Sequence, residues 1–103
     1  DLTELAQARA VEISQLFDHV RPDGSQLPNV GENIAMNYST NDLETSVNYT
    51  FTQWKNSSGH NANMLYTSYK SMEIGCFLMR ETKDSITGPV YQYSAYWVTN
   101  FKL

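Results

Sequence analysis

The spacing of apolar residues predicts that the chain begins with an amphipathic helix. From residue 2 to residue 17 these residues recur every three or four positions, which places them along one side of a helix. They are Leu2, Leu5, Ala6, Ala10, Ile13, Leu16 and Phe17. Asp1, with Glu4 three positions later, predicts a capping box at the start. His19 and the Arg-Pro-Asp-Gly turn at 21–24 therefore follow the C-terminal end of this helix.

A second helix is predicted after an irregular connector. Residues 25–38 show no clear period, and we expect a connector there with a short helical or extended piece at Glu32–Met36. Asn41, with Glu44 three positions later, forms a capping box that predicts a helix ending near residue 55 or 56. Ser58 is then expected to cap a short helix over residues 60–65. The predicted inward face of the longer helix consists of Leu43, Val47, Thr50, Phe51 and Trp54.

The last third of the chain predicts two paired strands. Residues 72–79 alternate with apolar side chains on both sides, and residues 90–101 alternate again. One side of the second strand is expected to carry Tyr91, Tyr93, Ala95, Trp97 and Phe101. The polar stretch 81–89 between them predicts an antiparallel hairpin with a loop longer than the tight types. Helices first and strands last indicate the α+β class.

Length and charge limit the kinds of partner. A chain of 103 residues is expected to form a single domain, 1–103. Its net charge is −4 and its seven Lys and Arg residues are scattered, which argues against nucleic acid or an anionic membrane as the main partner. The sequence contains no apolar run of transmembrane length. Cys76 is the single cysteine, so the chain forms no internal disulfide.

Both histidines and one carboxylate lie where predicted elements end, and scaffolds usually carry functional groups at such positions. His19 follows the first helix, Glu32 stands in an otherwise uncharged segment, and His60 is the first residue of the predicted short helix. Imidazole nitrogen and carboxylate oxygen are usual ligands of Zn²⁺. The three residues show no metal-site spacing, however. Taken alone, they fit better a structural role in which Glu32 accepts backbone hydrogen bonds that hold a loop.

Five segments of the chain, taken in order, resemble one protein family. They are LFDHVRPDGS at 16–25, GENIA at 31–35, WKNSSGHNANML at 54–65, EIG at 73–75 and YWV at 96–98. Each segment alone is weak evidence for a family, but five of them in this order are specific. They resemble the CAP superfamily, also called SCP-like or PR-1-like, in its bacterial form, over essentially the whole chain. The resemblance implies a three-layer α-β-α sandwich with an antiparallel sheet, here without the family's first helix.

The resemblance also implies a cleft. In the family the equivalents of His19, Glu32 and His60 line a common cleft. A fourth position of that cleft, usually a second glutamate, falls near position 57 and is a serine here. Asn33 and Asn61 are expected either to orient the cleft or to serve the turns beside them.

By this resemblance the protein is a non-catalytic binding module, secreted or displayed on a bacterial cell surface, with its signal peptide removed or outside this sequence. The cleft would hold Zn²⁺ or another divalent cation through His19, Glu32 and His60, a small apolar ligand such as a lipid, or a cell-envelope component. One alternative is a metal-dependent, peptidase-like hydrolase with Glu32 as general base, and another is a structural surface domain with a vestigial cleft. Self-association is also expected, because a missing first helix would expose the apolar face of residues 2–17.

Overall fold

The computed structural model describes residues 1–39 and 43–103. Its strands form an antiparallel sheet in the order β1-β3-β2, so that β3 lies in the middle. Along the chain the elements are α1 (Leu2–Gln15), β1 (Val30–Ser39), α2 (Leu43–Asn56), α3 (Ser58–Leu65), β2 (Ser71–Ser85) and β3 (Gly88–Lys102).

The sheet lies between two helical layers, and each of its faces has a core. One core, which α1 covers, consists of Ala10, Ile13, Ile34 and Val98. The other core, which α2 covers, consists of Ala35, Trp54, Ala95 and Trp97. Successive strand residues point to opposite faces, so that Ile34 and Ala35 of β1 belong to different cores. The predicted α+β class and α-β-α sandwich are confirmed.

The first helix forms as predicted, although it ends two residues earlier. The Oδ1 atom of Asp1 accepts a hydrogen bond from the backbone N–H of Glu4 at 2.9 Å, which confirms the N-cap. The central part of the predicted stripe is buried against the sheet, whereas Leu16 and Phe17 are exposed. The central part of this apolar face is therefore covered within the chain, and Leu16 and Phe17 at its C-terminal end are the exposed residues left for the expected self-association.

Strand β1 replaces most of the predicted connector. The expected short piece at Glu32–Met36 is part of a ten-residue strand, Val30–Ser39. Glu32 and Ile34 face α1, whereas Asn33, Ala35 and Asn37 face the other helices. Asn33, Ile34 and Ala35 are all buried. Because both faces are covered, the strand lacks the alternation of apolar and polar residues from which a strand is usually predicted.

The hairpin between β2 and β3 has a tighter loop than predicted. The strands stay paired as far as Ser85 and Gly88, which leaves only Ile86 and Thr87 as a two-residue loop. The long loop expected over residues 81–89 is therefore wrong. Gly88 adopts a φ of +115°, which glycine tolerates, and the Ser85 hydroxyl donates to the Gly88 carbonyl. Described residues near the tip are exposed, so polar side chains fit a strand there as well as a loop.

The face that α2 turns to the sheet is more polar than predicted. Thr50 and Trp54 are buried, as expected, but so is Ser46. Val47 and Phe51 are 44% and 53% exposed, so their placement on the inward face is wrong. The expected capping residue Asn41 and the side chain of Leu43 lie outside the described residues. The helix is docked through hydrogen bonds along the row 46, 50 and 54, which an apolar pattern does not predict.

Ser46 links α2 to both β1 and β3. We expect Ser46→Ala to lower the free energy of unfolding by about 1–3 kcal/mol. Its hydroxyl donates to the Asn37 amide oxygen and accepts a hydrogen bond from Trp97 Nε1 at 2.9 Å. Alanine would remove the hydrogen bonds that Ser46 makes to the buried Asn37 amide oxygen and to the buried Trp97 Nε1. Urea unfolding measures the loss, with Val47→Ala as the control on the same helix, expected within about 0.5 kcal/mol of the parent. Equal stability of the two variants would contradict this role.

Candidate functional site

The site is built around Arg9, a buried arginine on α1 whose side chain has 0% exposed surface. Its Nε and Nη2 atoms donate to the two carboxylate oxygens of Glu32, each at 2.8 Å. Nη1 donates to Glu12 at 3.0 Å, and Nη2 also donates to the Asp18 carbonyl at 2.7 Å. The sequence patterns do not indicate this residue as part of a site. Its position does indicate burial, because residue 9 falls on the apolar stripe of α1.

The carboxylate of Glu32 is held from several directions. Besides Arg9, it accepts a hydrogen bond from Asn100 Nδ2 at 3.0 Å and contacts Nδ1 of His19 at 3.0 Å. Asn100 pairs directly with Glu32 across β3 and β1, which explains how a residue so far along the chain reaches the site. Burial raises the pKa of Glu32, but the hydrogen bonds from Arg9, Asn100 and His19 outweigh burial and keep that pKa below its ordinary value. Glu32 is therefore ionised at neutral pH.

A second ion pair continues this network toward the turn after α1. Arg21 donates through Nε and Nη2 to the two oxygens of Glu12, at 2.9 and 2.6 Å. Hydrogen bonding from Arg21 lowers the pKa of Glu12 more than burial raises it, and Arg9 lowers it further. Arg9 and Arg21 thus fix the loop that carries His19 at two places, since Arg9 also binds the Asp18 carbonyl. One ion pair, Arg21 with Glu12, and one hydrogen bond from the buried guanidinium of Arg9 therefore hold this loop against α1.

His60 reaches the site from α3. The helix begins at Ser58 with Ser57 as its N-cap residue, so the prediction that Ser58 caps it is wrong. Ser57 makes no capping hydrogen bond through its side chain, and its hydroxyl instead lies 3.0 Å from Nδ1 of His60. The ring of His60 also lies beside that of Trp54, with 6.5 Å between their centroids. Burial and then the charge of His19 lower the pKa of His60, so its ring is neutral at pH 7.

Asn33 and Asn61, both expected beside the cleft, make different contacts. Asn33 is fully buried and donates from Nδ2 to the backbone carbonyl of His60 at 3.1 Å. Its Oδ1 accepts a hydrogen bond from Asn63 at 3.0 Å, a residue that the sequence patterns do not indicate. Asn33 therefore ties α3 to β1 and holds the backbone that carries His60. Among the described residues the Asn61 side chain has no hydrogen-bond partner, and its backbone N–H donates to Ser57 at 2.8 Å.

An open groove of about 620 Å³ lies next to His60 along β1 and α2. Exposed aromatic side chains stand on its walls, Phe17 from the loop after α1 and Tyr49 from α2. The groove is lined by Phe17, Ile34, Ala35, Met36, Tyr49, Thr52, Gln53, Trp54, Asn56, Ser57 and His60. It joins an apolar surface to one imidazole of the predicted cleft.

The structure brings some of the predicted metal ligands together. His19 and Glu32 are in contact, whereas His60 is bonded to Ser57. Each histidine is engaged through Nδ1, and among the described residues neither Nε2 has a partner. In residues 1–39 and 43–103, no group of three or more His, Cys, Asp and Glu side chains is placed to hold a metal ion. Metal binding by His19, Glu32 and His60 stays a prediction.

The proximity of the two histidines can be checked by titrating His60. We expect NMR to find its pKa below the ordinary value of about 6.5 and to find it raised in His19→Gln, because that variant removes the repelling charge. Since folding favours the neutral ring, the contribution of His60 to stability is full above pH 6.5 and falls as the pH drops below it. Lys70→Gln, an exposed cation elsewhere, is the control. A pKa of His60 that is the same with and without His19 would contradict the placement.

Comparison with known families matches residues 1–101 to CAP, the cysteine-rich secretory protein family. No curated protein and no solved structure matches the chain. Within the described residues, every helix is too short or too polar to cross a membrane. The matched range covers all the site residues described above and every element except the last residue of β3.

Proposed function

The chain belongs to the CAP family, and from that membership we propose that it is a secreted or cell-surface binding module whose cleft, at His19, Glu32 and His60, takes a divalent cation. The observation that carries this proposal is the arrangement of the two imidazoles. Each is fixed at Nδ1, by Glu32 or by Ser57, so that Nε2 is the nitrogen left to bind a ligand. Neutral imidazole nitrogen is a ligand that Zn²⁺ accepts readily, so these donors fit the ion.

A hydrolase in the same cleft has less support. Glu32 would be its general base, but this carboxylate is already bound by Arg9, Asn100 and His19. Its pKa is lowered by these partners against the effect of burial, whereas a general base at neutral pH benefits from a pKa near 7. Near the place where the family usually has a second glutamate, this chain has Ser57, whose hydroxyl is bonded to His60. We therefore propose binding without turnover.

A small apolar ligand is a second candidate, because the groove beside His60 offers it a place. The groove combines the aromatic walls of Phe17, Tyr49 and Trp54 with one imidazole. Pockets that are largely apolar with few polar groups are typical of small-ligand sites. Binding of a fluorescent fatty acid, reduced by Tyr49→Ser and unaffected by Ile86→Ser at the exposed tip of the hairpin, would support this candidate.

We propose the bacterial branch of the family for this chain. Eukaryotic members resembling it are usually rich in disulfides, whereas this chain has the single free cysteine Cys76. A small secreted domain without a disulfide must be stabilised by its core and its ion pairs. The buried Arg9–Glu32 pair is one such contact. Reducing agent should therefore leave the unfolding temperature unchanged.

Titration of Zn²⁺ into the metal-free protein by calorimetry tests the proposed function. We expect about one equivalent to bind, His60→Ala to lose the binding, and Lys70→Ala to keep it. Affinity should weaken as the pH falls through the histidine range, because only neutral imidazole is a ligand. Absence of any binding heat in the parent protein would contradict the cation proposal and direct the search to the groove.

A further inference from the structure

We propose that Arg9 and Asn100 make Glu32 a hydrogen-bond acceptor for His19 rather than a ligand of the cation, so that Arg9 is the positioning residue of the cleft. The imidazole Nε2 atoms of His19 and His60 are then the donors that the protein offers. The part that concerns the cation rests on the proposed function. The part that concerns the orientation of His19 does not.

The first argument is the number of hydrogen bonds at Glu32. A carboxylate has about four lone-pair positions. Oε1 is occupied by Arg9 Nη2 and His19 Nδ1, and Oε2 by Arg9 Nε and Asn100 Nδ2. A metal ion could reach Glu32 only if one of these bonds were given up. Arg9 is fully buried and has no water to replace the lost partner, so this exchange is costly.

The orientation of Asn100 supports the same conclusion. Its Nδ2 donates to Glu32 at 3.0 Å and, at 3.5 Å, to the Gly31 carbonyl, while its Oδ1 is buried and has no hydrogen-bond partner among the described residues. Turning the amide over would place Oδ1 against the carboxylate, so Asn100 keeps the donating orientation although one buried acceptor stays unbonded. Asn100 therefore keeps its hydrogen bond to Glu32 at the cost of a buried oxygen that has no hydrogen bond.

Fixing Glu32 also fixes the tautomer of His19. Ionised Glu32 can only accept, so Nδ1 of His19 must carry the hydrogen at the 3.0 Å contact, and the lone pair of the neutral ring lies on Nε2. The side chain of His19 is 58% exposed, which leaves that nitrogen accessible. At His60 the partner is the hydroxyl of Ser57, which can donate or accept, so His60 can adapt its tautomer.

This arrangement selects the class of ion. Mg²⁺ and Ca²⁺ require oxygen ligands, and the carboxylate of this cleft is already used by Arg9 and Asn100. Imidazole nitrogen suits Zn²⁺, Cu²⁺ and Ni²⁺. The cleft should therefore bind Zn²⁺ and ignore a large excess of Mg²⁺ or Ca²⁺.

The orientation of His19 is tested without metal, by ¹⁵N NMR of the imidazole rings at a pH where they are neutral. We expect His19 in the Nδ1–H tautomer in the parent protein and a mixture of tautomers in Arg9→Lys, which keeps the charge but loses the two-point contact with Glu32. Arg21→Lys, the same change at the outer arginine, should keep the parent spectrum. If Arg9→Lys does not fold, Glu32→Gln replaces it. An Nε2–H tautomer in the parent, or an unchanged tautomer in the folded variant, would overturn the proposal.

The role of Glu32 toward the ion is tested by Zn²⁺ titration of Glu32→Gln and His19→Gln. We expect Glu32→Gln to weaken binding about 10–100-fold, as for a residue that orients a ligand, and His19→Gln to weaken it much more. Equal losses in the two variants, or displacement of Zn²⁺ by Ca²⁺ or Mg²⁺, would overturn the inference and leave the proposed function standing. If the parent binds no Zn²⁺, the proposed function and the ion selectivity fail together, while the NMR experiment still decides the role of Arg9.

Discussion

Replacing Arg9 with methionine is expected to lower the free energy of unfolding by about 3–5 kcal/mol, because it leaves a buried carboxylate without its cation. The side chain of Glu32 is only 6% exposed, so water cannot compensate for the lost guanidinium. Arg9 also binds Glu12 and the Asp18 carbonyl, and both would lose a partner in the same variant. Chemical denaturation at neutral pH measures the loss.

The control for this substitution is Arg21→Met. Arg21 also makes a two-point contact with a carboxylate, that of Glu12, but its side chain is 30% exposed. Solvent screens such a pair, so the expected loss is about 1 kcal/mol or less. If the two arginines proved equally important, burial would not be the source of the energy and the account of Arg9 would be wrong.

The dependence on pH separates the charge of Glu32 from its packing. In the parent protein the pKa of Glu32 is lowered, so its ion pair contributes fully above the ordinary value of about 4.5 and is lost as the pH falls through the lower folded value. In Arg9→Met the carboxylate should prefer to be protonated, and the deficit should shrink as the pH falls. A double variant, Arg9→Met with Glu32→Met, should lose less than Arg9→Met alone, since no unpaired charge is left.

Local patterns predict those parts of the fold in which one side of an element faces the core and the other faces water. Helix α1 has this arrangement, and its extent and N-cap follow from the sequence. Strand β1 does not, because Ile34 and Ala35 face two different cores. Helix α2 docks through Ser46 and Thr50, which a search for apolar faces passes over. In both cases the tertiary surroundings, and not the local period, determine burial.

The candidate site shows the same limit. The resemblance to the family placed His19 and Glu32 in one cleft, and the structure brings them to 3.0 Å. The residues that decide what Glu32 can do are Arg9, 23 positions before it, and Asn100, 68 positions after it. Arg9 reaches Glu32 by its place on α1 and Asn100 by the register of β1 with β3, and neither relation can be read from one sequence. A buried arginine within an apolar stripe is the pattern that would have indicated a partner.

Replacing Gly75 with alanine is the second change expected to have a large effect. A Cβ atom at this position of β2 would overlap the backbone carbonyl oxygen of Ala6 in α1. A side chain could turn away from such a contact, but a helix backbone cannot. Next to this contact, α1 is also bound to β2 through Gln7, whose side-chain amide donates to the Cys76 carbonyl at 2.9 Å. The new methyl group must therefore push α1 away from the sheet, at a cost of about 3 kcal/mol or more.

The same displacement would reach the site, since Arg9 lies one helical turn beyond Ala6. We therefore expect Gly75→Ala both to lower the unfolding temperature strongly and to disturb the NMR signals of the His19 ring. Gly59→Ala is the control: nothing lies within 4 Å of a Cβ atom there, and alanine favours the helix α3 by about 0.5–1 kcal/mol. Parent-like stability of Gly75→Ala would show that α1 can shift freely on the sheet, and α1 could then not hold Arg9 in place for Glu32.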